Sequence, residues 1–280
     1  MLWVPQKGVV KAISNYGLVG TTTPGTGLPS NGTTLLDGAV TEIISAAANV
    51  QDSWGIEVVV IASGALTTAS EACVDILIGG ATDDVLIPAL ICGYAVPFSN
   101  GGGSGQRYLF PLHIPQGVRI AAQLASVRTS ITAQILVTLF GGSPPPWRVG
   151  RKVTAIGTQV NNARGQALTA PGTSGGAATV TEMVASSAED YFAFLPGFQP
   201  ATDTSVVQAY VNIGIGVGAA TEERIGTWFY KKDTNEDVAG PMPCFPCFRD
   251  VPAGTRLSLL ASTSNSANDA DQDGMIYAVS

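Results

Sequence analysis

The chain has 280 residues, with charged side chains at 12% against 45% hydrophobic ones and a formal net charge of −7. Its acids are thinly scattered, so the composition excludes a disordered polyelectrolyte and offers no basic face for a phosphate backbone. At this length either one large all-β domain or two smaller domains can bury a core.

No basic start followed by an apolar segment opens the chain (MLWVPQKGVVKAIS). No apolar stretch is long enough to cross a bilayer without a charge, Gly or Pro. The expectation is a soluble protein made in the cytoplasm. Residues 16–34, YGLVGTTTPGTGLPSNGTT, are turn-rich and almost uncharged, which suits an extended N-terminal arm or a plain surface loop. AVTEIISAAA (39–48) is a candidate helix, although its Val, Thr and Ile weaken that assignment. Short β-branched or aromatic runs follow at 56–62, 73–79, 85–93, 107–114, 118–125 and 132–141, each bounded by Gly, Pro, Asn, Ser or Asp. SPPPW at 143–147 is a semi-rigid break. Beyond it come a second candidate helix at 178–188 and strand-like runs at 191–198, 206–217, 224–232, 256–262 and 274–280.

The second series repeats the first. HIPQGVRIAAQLAS starts at His113 and DVPAGTRLSLLAS at Asp250, an offset of 137 residues. At nearly the same distance, GAVTEII around Glu42 matches ATVTEMV around Glu182, and GGATDDV around Asp83 matches GAATEER around Glu222. The aromatic spots at Trp54 and Tyr191 also correspond, and all the matches keep one order. Internal repetition of this kind predicts a duplication. The expected organisation is a first β-sandwich with an N-terminal arm over 1–142, a Pro-rich linker over 143–146 and a second β-sandwich over 147–280. The fold class is all-β, two tandem antiparallel β-sandwiches, most simply jelly rolls. Within the repeated phrase, Pro-x-Gly makes a tight turn with Gly117 and Gly254 free to take positive φ. Arg119 and Arg256 follow on the next strand, each either paired with a local acid or in contact with a neighbouring subunit.

Chemistry is sparse. His113 is the single histidine and has no counterpart in the second copy, so it reads as a structural strand-end residue. NGGGSGQR (100–107) lacks the Lys and helix of a phosphate cradle. Cys244 and Cys247 form PCFPC, but the Pro-punctuated segment is extended. No second close pair completes a zinc site, so buried or half-buried thiols are expected. Asp269, Asp271 and Asp273 precede Gly274 in NDADQDG, which suits either a hard cation such as Ca²⁺ or a polar hairpin turn. Asp83-Asp84 and Glu222-Glu223 recur in one turn of each copy as solvated tips. No nucleophile, base and oxyanion site assemble, so a non-enzymatic protein without a cofactor is expected.

The strand phrases IPQGVRIAAQLAS and VPAGTRLSLLAS, with their short Gly-rich turns and the loosely structured N-terminal segment, resemble structural proteins of tailed-bacteriophage virions. These are the tandem jelly-roll accessory proteins of head, neck or tail. The resemblance implies a virion component that assembles with itself as a trimer or ring and with other virion proteins, by packing jelly-roll faces and exchanging arms. A carbohydrate- or receptor-binding sandwich is the competing expectation, with Trp54, Tyr191, Trp228 and Tyr230 as candidates for stacking on a glycan.

Overall fold

The computed structural model describes residues 10–16, 25–34, 36–63, 72–80, 83–92, 106–126, 129, 131–157, 165–168, 177–200, 209–218, 222–232, 242–263 and 272–280. Every regular element among them is a strand. The first nine are β1 (Val10–Tyr16), β2 (Thr26–Pro29), β3 (Thr41–Ile44), β4 (Ser53–Ser63), β5 (Ala72–Gly79), β6 (Asp83–Ile91), β7 (Gln106–Phe110), β8 (Arg119–Ser126) and β9 (Thr132–Gly142). The remaining ten are β10 (Val153–Ile156), β11 (Gln166–Leu168), β12 (Thr179–Val184), β13 (Tyr191–Pro200), β14 (Ala209–Val217), β15 (Glu223–Lys232), β16 (Met242–Cys244), β17 (Cys247–Val251), β18 (Leu257–Thr263) and β19 (Gln272–Val279).

These strands form four sheets. Sheet A runs β1-β9-β4-β7-β16, with β2 also on β9, and sheet B runs β3-β8-β5-β6. Sheet C runs β10-β19-β13-β17, with β11 also on β19, and sheet D runs β12-β18-β14-β15. The order of C repeats that of A, and the order of D repeats that of B. Every pairing is antiparallel except β16 on β7. Each half is therefore a two-sheet jelly-roll sandwich, and Ile56, Val58 and Val60 of β4 show the alternation that fills one, being buried while Glu57 and Val59 between them are half-exposed.

Both candidate helices are strands instead. β3 and β12 lie at equivalent edges, where their β-branched Thr, Val and Ile residues fit a pleated surface better than a helix. Where it is described, the segment 16–34 lies along sheet A of its own chain. Tyr16 pairs with Val137, and Thr26 to Pro29 pair with Ile135 to Thr132, all within sheet A. Residues 1–9 and 17–24 lie outside the described residues.

The repeated phrase builds the same turn twice. Gly117 and Gly254 have φ of 73° and 84°, the region where a Cβ is penalised. The residue after each Pro donates its N–H to an aspartate, Gln116 to Asp52 at 2.8 Å and Ala253 to Asp190 at 2.7 Å. Each glycine N–H is taken by the chain before β4 or β13, at Asn49 O (2.7 Å) and Ser187 O (2.8 Å). The same two residues reach back through their side chains, Asn49 to Pro115 O at 2.8 Å and Ser187 to Pro252 O at 3.2 Å.

Candidate functional site

The most heavily built region lies where the two sandwiches meet, and one continuous apolar core runs through both. All of 191–198 on β13 and all of 273–279 on β19 are buried. One face of sheet C packs inward and the other is covered by the first sandwich. A strand buried on both faces needs an unbroken apolar run, as YFAFLPGF and MIYAV supply.

Tyr277 is the centre of the junction. Its hydroxyl donates to Ala89 O and accepts the N–H of Ile91, both at 2.8 Å, while Tyr108 donates to Ile91 O at 2.8 Å. The rings of Tyr108 and Phe110 meet Tyr277 edge-on at 5.6 and 6.0 Å. Aromatic pairs of this geometry add to the apolar area they bury. Ala89 has φ of 48°, an uncommon conformation for a residue with a Cβ, at the point where its carbonyl meets Tyr277. Gly197 lies opposite Met275, and a Cβ there would stand 2.5 Å from the Tyr277 ring. Burial holds both tyrosine hydroxyls well above their ordinary pKa, so they act as neutral hydrogen-bonding groups.

PCFPC straps the sandwiches together. Met242 to Cys244 add to the edge of sheet A opposite Gln106 to Tyr108, and Cys247 already belongs to sheet C opposite Phe194. Phe245 and Pro246 alone span the two, and Phe245 O accepts the Trp228 indole N–H at 3.2 Å. The segment is extended, as its prolines indicate. Cys73, Cys92 and Cys244 are buried, Cys247 is half-buried, and no disulfide joins them. Burial pushes the Cys244 thiol up to about 12 and the Cys247 thiol to about 11, so thiolate chemistry is suppressed.

The other residues singled out by sequence fall as follows. Arg119 pairs with Asp83, and Arg256 pairs with Glu222 and, at 2.6 Å, with Glu182. In both sandwiches the arginine after the Pro-x-Gly turn thus clamps the acid of the β5–β6 or β14–β15 turn. Asp269 and Asp271 lie outside the described residues. Asp273 is buried inside β19 opposite Ala167 and Gln199, so the strand starts before the Asp-Gly pair and the turn does not close on it. Among the described residues no group of three or more metal-ligating side chains assembles. His113 stacks on Trp54 at 4.6 Å and its backbone N–H donates to Gly150 O at 2.9 Å, tying the β7–β8 connection of the first sandwich to the segment that leads into β10.

Of the aromatic residues considered for glycan stacking, Tyr191 is buried, Trp54 is half-buried under His113, and Trp228 is half-buried with its N–H occupied. The side chain of Tyr230 lies outside the described residues. A cleft of about 250 Å³ between β10 and β12, lined by Ile156, Met183, Val184, Tyr191 and Thr154 among others, presents hydroxyl groups but no charged one. Sequence reasoning did not single out Tyr277, Tyr108 or Ala89, although the unbroken apolar runs of β13 and β19 carried the signal for a sheet covered on both faces.

No protein-family model matches the chain, and no curated protein matches it. Among solved structures, PNGF-II is similar with a TM-score of 0.40 at 7% identity, covering 95% of this chain and 65% of that one. The chain thus spans less than two thirds of PNGF-II. The CBM22-1–CBM22-2 tandem domain of Xyn10C from Paenibacillus barcinonensis is similar with a TM-score of 0.29 at 10% identity, over 99% of this chain and 96% of that one. A protein of the naturally occurring empty particles of cowpea mosaic virus gives 0.36 at 11%, over 96% and 88%. No described helix is long and apolar enough to cross a membrane.

Proposed function

We propose that this chain is a non-enzymatic structural protein of a phage particle, descended from a duplicated jelly-roll unit (1–142 and 147–280, joined by 143–146) and assembling through jelly-roll faces. The observation that carries this reading is the junction around Tyr277. One face of sheet C is committed to covering another sandwich, which is the kind of contact a particle component makes repeatedly. The repeated Arg–acid clamps serve this role by fixing the turns that flank each sandwich, and Arg119 and Arg256 act within their own sandwiches. Of the aromatic residues considered for glycan stacking, those with described side chains, Trp54, Tyr191 and Trp228, are half-buried or buried, which weighs against the carbohydrate-binding reading.

Sedimentation velocity on the purified full chain tests the proposal. A defined oligomer together with a blank glycan array supports it. A monomer at every accessible concentration, or saturable binding of a glycan, contradicts it.

A further inference from the structure

The junction inside the chain also shows what the free side of the second sandwich is built to meet. In the first sandwich the edge strand of sheet B, β6, lies against β10 and β13 of sheet C. Its counterpart is β15, the edge strand of sheet D and, at ten residues, the longest strand on any sheet edge. Equivalent positions follow by counting rungs from the repeated arginines. Ala125 and Ser262 stand equally far beyond Arg119 and Arg256; Ala125 pairs with Cys73, which pairs with Ile91, while Ser262 pairs with Asn212, which pairs with Phe229. Ile91 and Phe229 therefore hold the same place.

Ile91 is fully buried, with its backbone held by Tyr277 and Tyr108 of the junction. Phe229 is 67% exposed, more than any other aromatic side chain among the described residues. A long sheet edge that pairs with no further strand among the described residues and carries an exposed phenyl group is an association site unless something covers it. The covering surface is specified by the same equivalence. On sheet C it lies over β10 and β13 and includes Tyr277, which stands opposite Leu195 one outward rung from Gly197 and Met275; on sheet A the counterparts are β1 and β4, with Glu57 opposite Thr138 and Val59 opposite Leu136 on the matching rungs.

We infer that β15 of one molecule, with Phe229 at its centre, docks on the outer face of sheet A of a second copy of this chain, over Val59 and Leu136. The contact continues the relation already present inside the chain, in which an edge strand of one sandwich meets the outer face of the other's first sheet. Two different surfaces meet, so the interface is head-to-tail, and it closes into a ring or runs on as a filament. This rests on the self-assembly reading above and names its surfaces.

The test uses four full-length proteins in sedimentation velocity, wild type, Phe229→Glu, and the two sheet A variants Leu136→Glu and Val59→Lys, with circular dichroism to confirm folding. The wild type is expected to be oligomeric and each variant monomeric, a loss of at least 100-fold in association. An equimolar mixture of Phe229→Glu with either sheet A variant is expected to give a species of two chains and no larger one, because one intact junction remains. A wild type that is monomeric overturns the self-assembly reading itself. Wild-type oligomers that survive Phe229→Glu, or folded sheet A variants that still assemble, or a mixture that stays monomeric, overturn the assigned surfaces and leave that reading standing.

Discussion

The outer faces of sheets A and C occupy the same place in the same strand order and differ in chemistry at a few positions, with Glu57 and Thr138 on A where C has Leu195 and Tyr277. Sheet C presents Leu195, Gly197, Met275 and Tyr277, all inside the junction, whereas the matching positions of sheet A are Glu57, Val59, Leu136 and Thr138, with Glu57 paired to Arg107. The strand order thus tolerates either surface. What decides whether a sandwich is capped by its neighbour in the chain is a handful of outward-facing side chains on two strands.

Exchanging that chemistry gives the largest expected effects. Leu195→Glu places a carboxylate in the junction without a partner and should lower stability by about 3–5 kcal/mol in urea unfolding. At the matching site Glu57→Leu should change stability by less than about 1 kcal/mol, since the exposed Arg107 returns to water when its partner is removed and leucine tolerates the 12% exposure of the Glu57 side chain. Equal losses at the two sites would erase the distinction between the faces. Tyr277→Phe keeps the ring and removes both hydroxyl contacts. It leaves Ala89 O and the Ile91 N–H unsatisfied, and should cost about 1–3 kcal/mol by the same measurement. A neutral result would mean that the ring alone holds the junction.

Where the halves agree, a substitution should act alike in both. Gly117→Ala and Gly254→Ala add a Cβ that meets no atom closer than 4.0 Å, so the penalty is backbone conformation alone. Each should cost about 1–2 kcal/mol, within error of the other. Smallest is the effect of a thiol reagent on the folded protein at pH 8. Cys247, half-buried, should label slowly, and Cys73, Cys92 and Cys244 only after denaturation. Rapid modification of Cys244 would show that β16 does not stay on β7.

Much of the sandwich architecture was legible because its signals are local. β-branched runs between Gly, Pro and Asp mark most strands, and the duplicated Pro-x-Gly-x-Arg phrase marks a turn whose glycines do take positive φ. The clamp was only half-readable: a local acid for Arg119 and Arg256 is among the expectations, but Asp83 and Glu222, expected as solvated tips, are instead largely covered by those arginines. Two kinds of information were not legible. The segments at 39–48 and 178–188 contain short edge strands, β3 and β12, followed by Ala-rich turns that imitate helix composition, and the strands' conformation is set by β8 and β18 far away in sequence. The junction was hidden for a related reason: an apolar run shows that a strand is buried on both faces but not what covers it. Tyr277 finds its partners Ala89 and Ile91 only through the folded arrangement of both halves. PCFPC announced its extended form through its prolines, yet its division between two sheets of two sandwiches is a tertiary fact.

Calorimetric unfolding of the full chain is the most direct test of whether the apolar outer face of sheet C makes the two sandwiches one cooperative body. A shared core predicts a single heat-absorption peak whose calorimetric and van't Hoff enthalpies agree. Two resolved peaks, each unfolding one half while the other stays native, would contradict it.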